Sequence, residues 1–144
     1  MIRNPFLTLL SVAVSASLSV TVYGLLADAF TDRRMPVVFH RVATLNSPLG
    51  EGEKAIVRVW RDKVRGDCPV LSRRTAVNQD GVTFDIPDAM WAGGPAGTEY
   101  IDMTYDTSFL NAGDYELRVT LDYQCPDKTY PAIQPPARFR IVRR

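Results

Sequence analysis

The sequence predicts an all-β domain of about seven antiparallel strands, arranged as a sandwich, behind one N-terminal transmembrane helix. Three observations predict it: an uncharged apolar stretch from Phe6 to Ala27, strict two-residue alternation from Tyr115 to Cys125, and turn residues recurring between short runs of β-formers. The chain has 144 residues. Setting aside roughly the first 30 leaves about 110, enough to bury one two-layer core.

The 22 residues from Phe6 to Ala27 carry no charge and no proline. As a helix they would span roughly 33 Å, the thickness of the hydrocarbon layer. Arg3 precedes them, and Arg33 with Arg34 follow, so basic residues flank both ends and do not orient the span. The expected organisation is a signal-anchor or signal peptide over 1–29, a polar linker over 30–35, and a β-domain over 36–144. Ala27-Asp28-Ala29 offers the small residues a signal peptidase inspects, and cleavage near Ala29 would make the domain secreted. The stretch is longer than a usual signal core, which favours an uncleaved anchor. Thr8, Ser11, Ser15 and Ser19 share one face at spacings of three and four. They form a candidate helix-packing face, although such hydroxyls are also tolerated by bonding their own carbonyls.

In the body, Val37 to Leu45 has mixed β-formers and Asn46 to Gly52 is turn chemistry. Lys54 to Asp62 alternates, with Ala55, Val57 and Val59 on one face and Arg58 and Trp60 on the other. Val70 to Val77 forms a further strand, Asn78-Gln79-Asp80-Gly81 a hairpin turn, and Val82, Phe84 and Ile86 share a face. Pro87 to Gly97 reads as loop. Ile101, Met103 and Tyr105 then alternate with Asp102, Thr104 and Asp106 as a half-buried strand. Tyr115, Leu117, Val119, Leu121, Tyr123 and Cys125 fall on one face of the clearest strand, with Glu116, Arg118, Thr120, Asp122 and Gln124 opposite. A helix would scatter both sets. Pro126 to Pro136 reads as a proline-rich loop before a last strand holding Phe139 and Ile141.

The approach Leu110-Asn111-Ala112-Gly113-Asp114-Tyr115 resembles the tyrosine corner of immunoglobulin-like β-sandwiches, where a tyrosine hydroxyl bonds back to upstream backbone. The close resemblance covers about ten residues, and the rest of 36–144 matches by strand number and spacing. Cys125 follows the tyrosine by ten positions and Trp60 lies on the second strand, so the antibody-type disulfide and core tryptophan are not carried over. Two cysteines behind an export signal favour a Cys68–Cys125 bridge, whereas two reduced thiols in the cytosol would look the same. The resemblance implies that both would lie at one pole, on loops flanking neighbouring antiparallel strands.

Chemistry is sparse. His40 is the one histidine and has no ligand-spaced companions, so no metal or cofactor is expected. Nothing in sequence activates Cys68 or Cys125 as a nucleophile, and Gly93-Gly94-Pro95-Ala96-Gly97 has no lysine and opens no helix. Asp80, Asp85 and Asp88, like Asp102 and Asp106, read as solvated carboxylates. Arg65-Gly66-Asp67 spells an integrin-binding tripeptide, a match short enough to arise by chance. Arg138, Arg140, Arg143 and Arg144 make a basic end that would discourage edge pairing. A net charge of +1 gives no field for nucleic acid, which is not an expected partner. Candidate binding loops gather Lys63, Arg65, Lys128, Tyr130 and Ile133 at the cysteine pole, by analogy with loop sites on sandwiches. The expected function is non-enzymatic. The chain would be a single-pass module, with the bilayer as partner through residues 6–27 and its C-terminal domain outside the cytoplasm. That domain would bind another protein or serve as a subunit of a surface assembly. Secretion after cleavage is the alternative.

Overall fold

The computed structural model describes residues 33–143. The expected span over 6–27, its Thr8/Ser11/Ser15/Ser19 face and the Ala29 cleavage site lie outside them. Among the described residues no helix is long and apolar enough to cross a membrane.

From Arg34 onward the chain is one compact all-β unit. Its strands are β1 (Val37–Thr44), β2 (Leu49–Gly50), β3 (Ala55–Lys63), β4 (Val70–Asn78), β5 (Thr83–Trp91), β6 (Gly97–Tyr105), β7 (Gly113–Gln124) and β8 (Thr129–Val142). They form a three-stranded sheet in the order β1-β3-β6 and a five-stranded sheet in the order β2-β8-β7-β4-β5. All pairings are antiparallel except β2 with β8. The eighth strand beyond the expected seven is β2, a two-residue segment that takes the chain from the smaller sheet to the edge of the larger one.

Alternation decides which side chains form the core. Along β7, Tyr115, Leu117, Val119, Leu121 and Tyr123 are all buried, facing Ala55, Val57 and Val59 of β3 in a single apolar cluster. Each fully buried side chain of this size stabilises the fold by roughly 1.5–3 kcal/mol relative to exposure. Cys125 lies one residue beyond β7 and is half-buried. The hairpin between β4 and β5 is as expected: Asn78 Oδ1 accepts from the N–H groups of Asp80 (3.0 Å) and Val82 (2.8 Å), and Gly81 supplies a φ of 81° that disfavours a side chain.

Two segments read as loops are strands. β5 continues through Pro87 to Trp91, and β8 begins at Thr129 and runs through Pro131, Pro135 and Pro136. Proline removes a donor, but both strands are at or near a sheet edge, where an outward-pointing N–H has no ladder partner. Pro135 and Pro136 fall where the β7–β8 register slips between Leu117 and Val119. The remaining outer edge of β8 is closed by side chains: Thr44 Oγ1 donates to the Arg138 carbonyl (2.9 Å), and the Arg140 N–H donates to Ser47 Oγ (3.1 Å).

Candidate functional site

Val70 at the start of β4 pairs with Tyr123 near the end of β7, so the segments that follow meet at one pole. There Cys68 and Cys125 are joined by a disulfide, with Cα atoms 4.3 Å apart. Arg65 is at the centre of this pole. Its guanidinium donates to both carboxylate oxygens of Asp67 (3.2 and 3.0 Å) and to Asp127 (2.9 Å), and lies 5.6 Å from the Tyr130 ring. The Tyr130 hydroxyl also donates to Asp127. That hydrogen bond, with Arg65 beside it, holds the Asp127 carboxyl below its usual range, and hydrogen bonding to Asp67 and Asp127 holds the Arg65 guanidinium charged. Gly66 and Gly93 bring the two neighbouring loops into backbone contact, because a Cβ on either would overlap the other loop's carbonyl oxygen.

Of the five sequence-predicted binding residues, four converge here and one does not. Arg65 has a side chain only 1 % exposed, spent on internal carboxylates, so the Arg65-Gly66-Asp67 tripeptide displays no free arginine. Tyr130 is buried, and Lys128 lies exposed above its ring at 4.7 Å. Lys63 is half-buried at the end of β3. Ile133, 80 % exposed, stands on the outer face of β8 opposite Thr120, away from the pole. What the pole presents is a tied clamp more than an open patch.

A second surface was missed as a site from sequence, although its alternation was legible. On the outer face of the smaller sheet, Trp60 pairs in register with Tyr100 of β6 and Arg41 of β1, and Arg58 pairs with Asp102. The Arg41 guanidinium lies 5.1 Å from the Trp60 ring, and that of Arg58 lies 4.5 Å from the Tyr100 ring. Arg58 also makes two hydrogen bonds to Asp102 (2.6 and 2.7 Å), which raise its own pKa and lower that of the carboxylate. Asp62 accepts from Thr98 (2.7 Å) and meets His40 Nε2 (2.8 Å); these contacts, Thr98 first, lower its pKa. An open groove of about 470 Å³ runs among His40, Arg41, Trp60, Thr98 and Tyr100.

Thr98 and His40 thus meet the same Asp62 carboxylate, one oxygen each. Among the described residues no three metal-ligating side chains cluster. The C-terminal arginines are largely compensated: Arg140 pairs with Asp114 (2.6 Å), Arg138 approaches Glu116 (3.5 Å) and Arg143 approaches Glu51 (3.7 Å).

No family model matches the chain, and no curated protein does. Solved structures with partial likeness include a Pseudomonas fluorescens alkylpurine DNA glycosylase, AlkC, bound to DNA containing an abasic site analog (TM-score 0.44, 9 % identity, covering 76 % of this chain and 31 % of that one). They also include the ASH/PapD-like domain 7 of human CEP192 (TM-score 0.44, 10 % identity, covering 80 % and 94 %). A third is the periplasmic chaperone SfaE (TM-score 0.36, 14 % identity, covering 75 % and 56 %). The chain thus spans about a third of the glycosylase's length. At these values the likenesses carry no functional argument, and the architecture rests on the strand order itself.

Proposed function

We propose that this chain is a membrane-anchored, non-enzymatic module with an immunoglobulin-like sandwich, which binds a partner protein outside the cytoplasm. The observation that carries the reading is the outer row Arg41, Trp60, Arg58 and Tyr100. Tryptophan, tyrosine and arginine are the side chains enriched where proteins bind one another. Tyr100 is 59 % exposed, and Val38 and Ile56 on the same strands add apolar surface. The compartment is supported by the Cys68–Cys125 bridge, since such bonds persist in oxidising surroundings. The apolar stretch over 6–27 supports the tether, which would confine the domain to two dimensions and raise its effective concentration near membrane partners. The sandwich topology is supported by the Tyr115 corner, whose hydroxyl donates to the Asn111 carbonyl at 3.1 Å.

The test is native-membrane purification of the full chain beside Tyr100→Ala and Arg41→Ala variants. Co-elution of a chain that both variants lose supports the proposal. A partner retained by both variants overturns the assignment to this face. Recovery of the full-length chain in the aqueous fraction without detergent overturns the anchor. Ala27-Asp28-Ala29 favours a second reading, a secreted binding module, and the mass of the mature protein separates the two.

A further inference from the structure

Between the sheets, next to the disulfide, lies a cavity of about 70 Å³ lined by Arg61, Lys63, Trp91, Met103, Tyr123 and Gln134, with Cys68 at one side. Two of these residues carry buried donors without a partner among the described residues: the Tyr123 hydroxyl and Gln134 Nε2. Tyr123 is 1 % exposed and Gln134 2 %, so solvent does not satisfy them from outside. An orphaned buried donor costs about 1–3 kcal/mol, and two facing one cavity call for an acceptor inside it.

The charge of the lining says which acceptor. Arg61 and Lys63 are successive inward-facing residues of β3, and both reach the cavity. Arg61 donates twice to one oxygen of Glu99 (2.9 and 2.6 Å), which balances one cation. Lys63 is half-buried and makes no ion pair within 4 Å among the described residues. The Glu99 carboxylate favours its charge against burial and Arg61, so one carboxylate is shared by two cations, and Gly94 leaves room for the Lys63 Nζ. The neighbouring ring of Trp91 is already faced by the Arg74 guanidinium at 5.2 Å. The Arg61 guanidinium is near enough to the Tyr123 phenol to lower its pKa against the larger upward push of burial, without bonding geometry to it. Gln134 likewise stands near the Tyr105 hydroxyl, whose proton points to Met103 Sδ at 3.4 Å.

We infer that this inter-sheet cavity is a binding site for one small monovalent anion, a halide or a compact oxyanion such as nitrate or formate. Lys63 would supply the compensating charge, and the Tyr123 hydroxyl and Gln134 Nε2 the directed donors. Water alone would satisfy the two donors but leaves the net single positive charge of Arg61, Lys63 and Glu99 at the cavity wall. A divalent or larger anion exceeds both the one uncompensated cation and the space.

The experiment uses the full chain in detergent, carrying Trp60→Phe so that Trp91 is the sole tryptophan. Bromide is titrated at constant ionic strength and Trp91 quenching is read. The expected result is a saturable component that nitrate competes away. Lys63→Met and Tyr123→Phe, each checked for an unchanged far-ultraviolet spectrum, are expected to weaken it by about tenfold or more. In bromide-soaked crystals of the parent chain, an anomalous peak within hydrogen-bond distance of Tyr123 Oη and Gln134 Nε2 is expected, which does not depend on any variant folding. Purely collisional quenching, or ordered water in the cavity with no anomalous signal, overturns the inference. The crystal soak uses the parent chain with its outer row intact, and the titration reads Trp91 alone whatever Trp60→Phe does to partner binding, so failure here and failure of the partner-binding proposal are distinguishable.

Discussion

Arg65 and Asp127, 62 positions apart in sequence, meet at 2.9 Å beside the Cys68–Cys125 bridge. The ion pair and the disulfide therefore tie the same two segments, one covalently and the other by charge. A side chain that would serve as a basic binding residue if exposed is instead a structural cross-link.

Replacing Arg65 with Met leaves Asp67 and Asp127 without their shared cation. The thermal midpoint should fall by roughly 5–10 °C or more, that range being the equivalent of one lost charged hydrogen bond. Arg65→Lys should recover only part of it, since a single ammonium cannot reproduce three directed contacts to two carboxylates. Differential scanning calorimetry of the two variants checks both statements. An unchanged midpoint in Arg65→Met would show that the pair contributes nothing.

Reducing the bridge, or replacing Cys68 and Cys125 with serine, frees a loop spanning 57 positions. The loss should be about 2–4 kcal/mol in urea unfolding, much of it through the unfolded chain. Adding Arg65→Met to the serine pair should cost less than the sum of the two changes, because both constrain the same loops.

Tyr115→Phe removes one hydrogen bond, to the Asn111 carbonyl, while keeping the ring stacked on Phe139 at 5.5 Å between centroids. About 1 kcal/mol should be lost. By contrast, Gly93→Ala should disorder the disulfide pole, since its Cβ would overlap the Gly66 carbonyl oxygen, backbone that cannot give way as a flexible side chain could. Two-dimensional amide spectra would show shifts confined to the tyrosine corner in the first variant and spread over both pole loops in the second.

Stability should fall at both ends of the pH scale. Asp62, Asp102, Asp114 and Asp127 have pKa values lowered in the fold by their hydrogen-bonding partners. Between those values and the unfolded value near 3.9 the unfolded chain binds more protons, so stability declines as pH drops below about 4 and is fully present above about 5. Burial raises the pKa of Tyr105 and Tyr123, which gives the opposite sign. Their contribution is present below the unfolded tyrosine value near 10 and is lost as pH rises beyond it. A plateau from about pH 5 to 9 in urea midpoints is expected. An alkaline limb that survives Tyr123→Phe unchanged would assign it to the other tyrosines raised in the fold, Tyr105, Tyr115 and Tyr130.

What the sequence determined by itself is the set of local choices. Period-two alternation from Tyr115 to Tyr123 settled both the strand and its buried face, because successive side chains must point to opposite sides. Asn78 and Gly81 settled a turn through their own hydrogen bonds and φ preference, and Tyr115 announced its corner four residues from its acceptor. Tertiary structure decided whatever depends on a neighbour far along the chain. Pro131, Pro135 and Pro136 look like loop residues until β8 is found with β2 covering only Ile141 and Val142, and with Pro135 and Pro136 at the slip in its register with β7. Arg65 looks like a surface cation until Asp127 arrives beside it, and Trp60 and Tyr100 become one surface only once β3 and β6 pair in register. Backbone preference is written residue by residue, whereas burial and charge compensation are properties of pairs that only folding brings together.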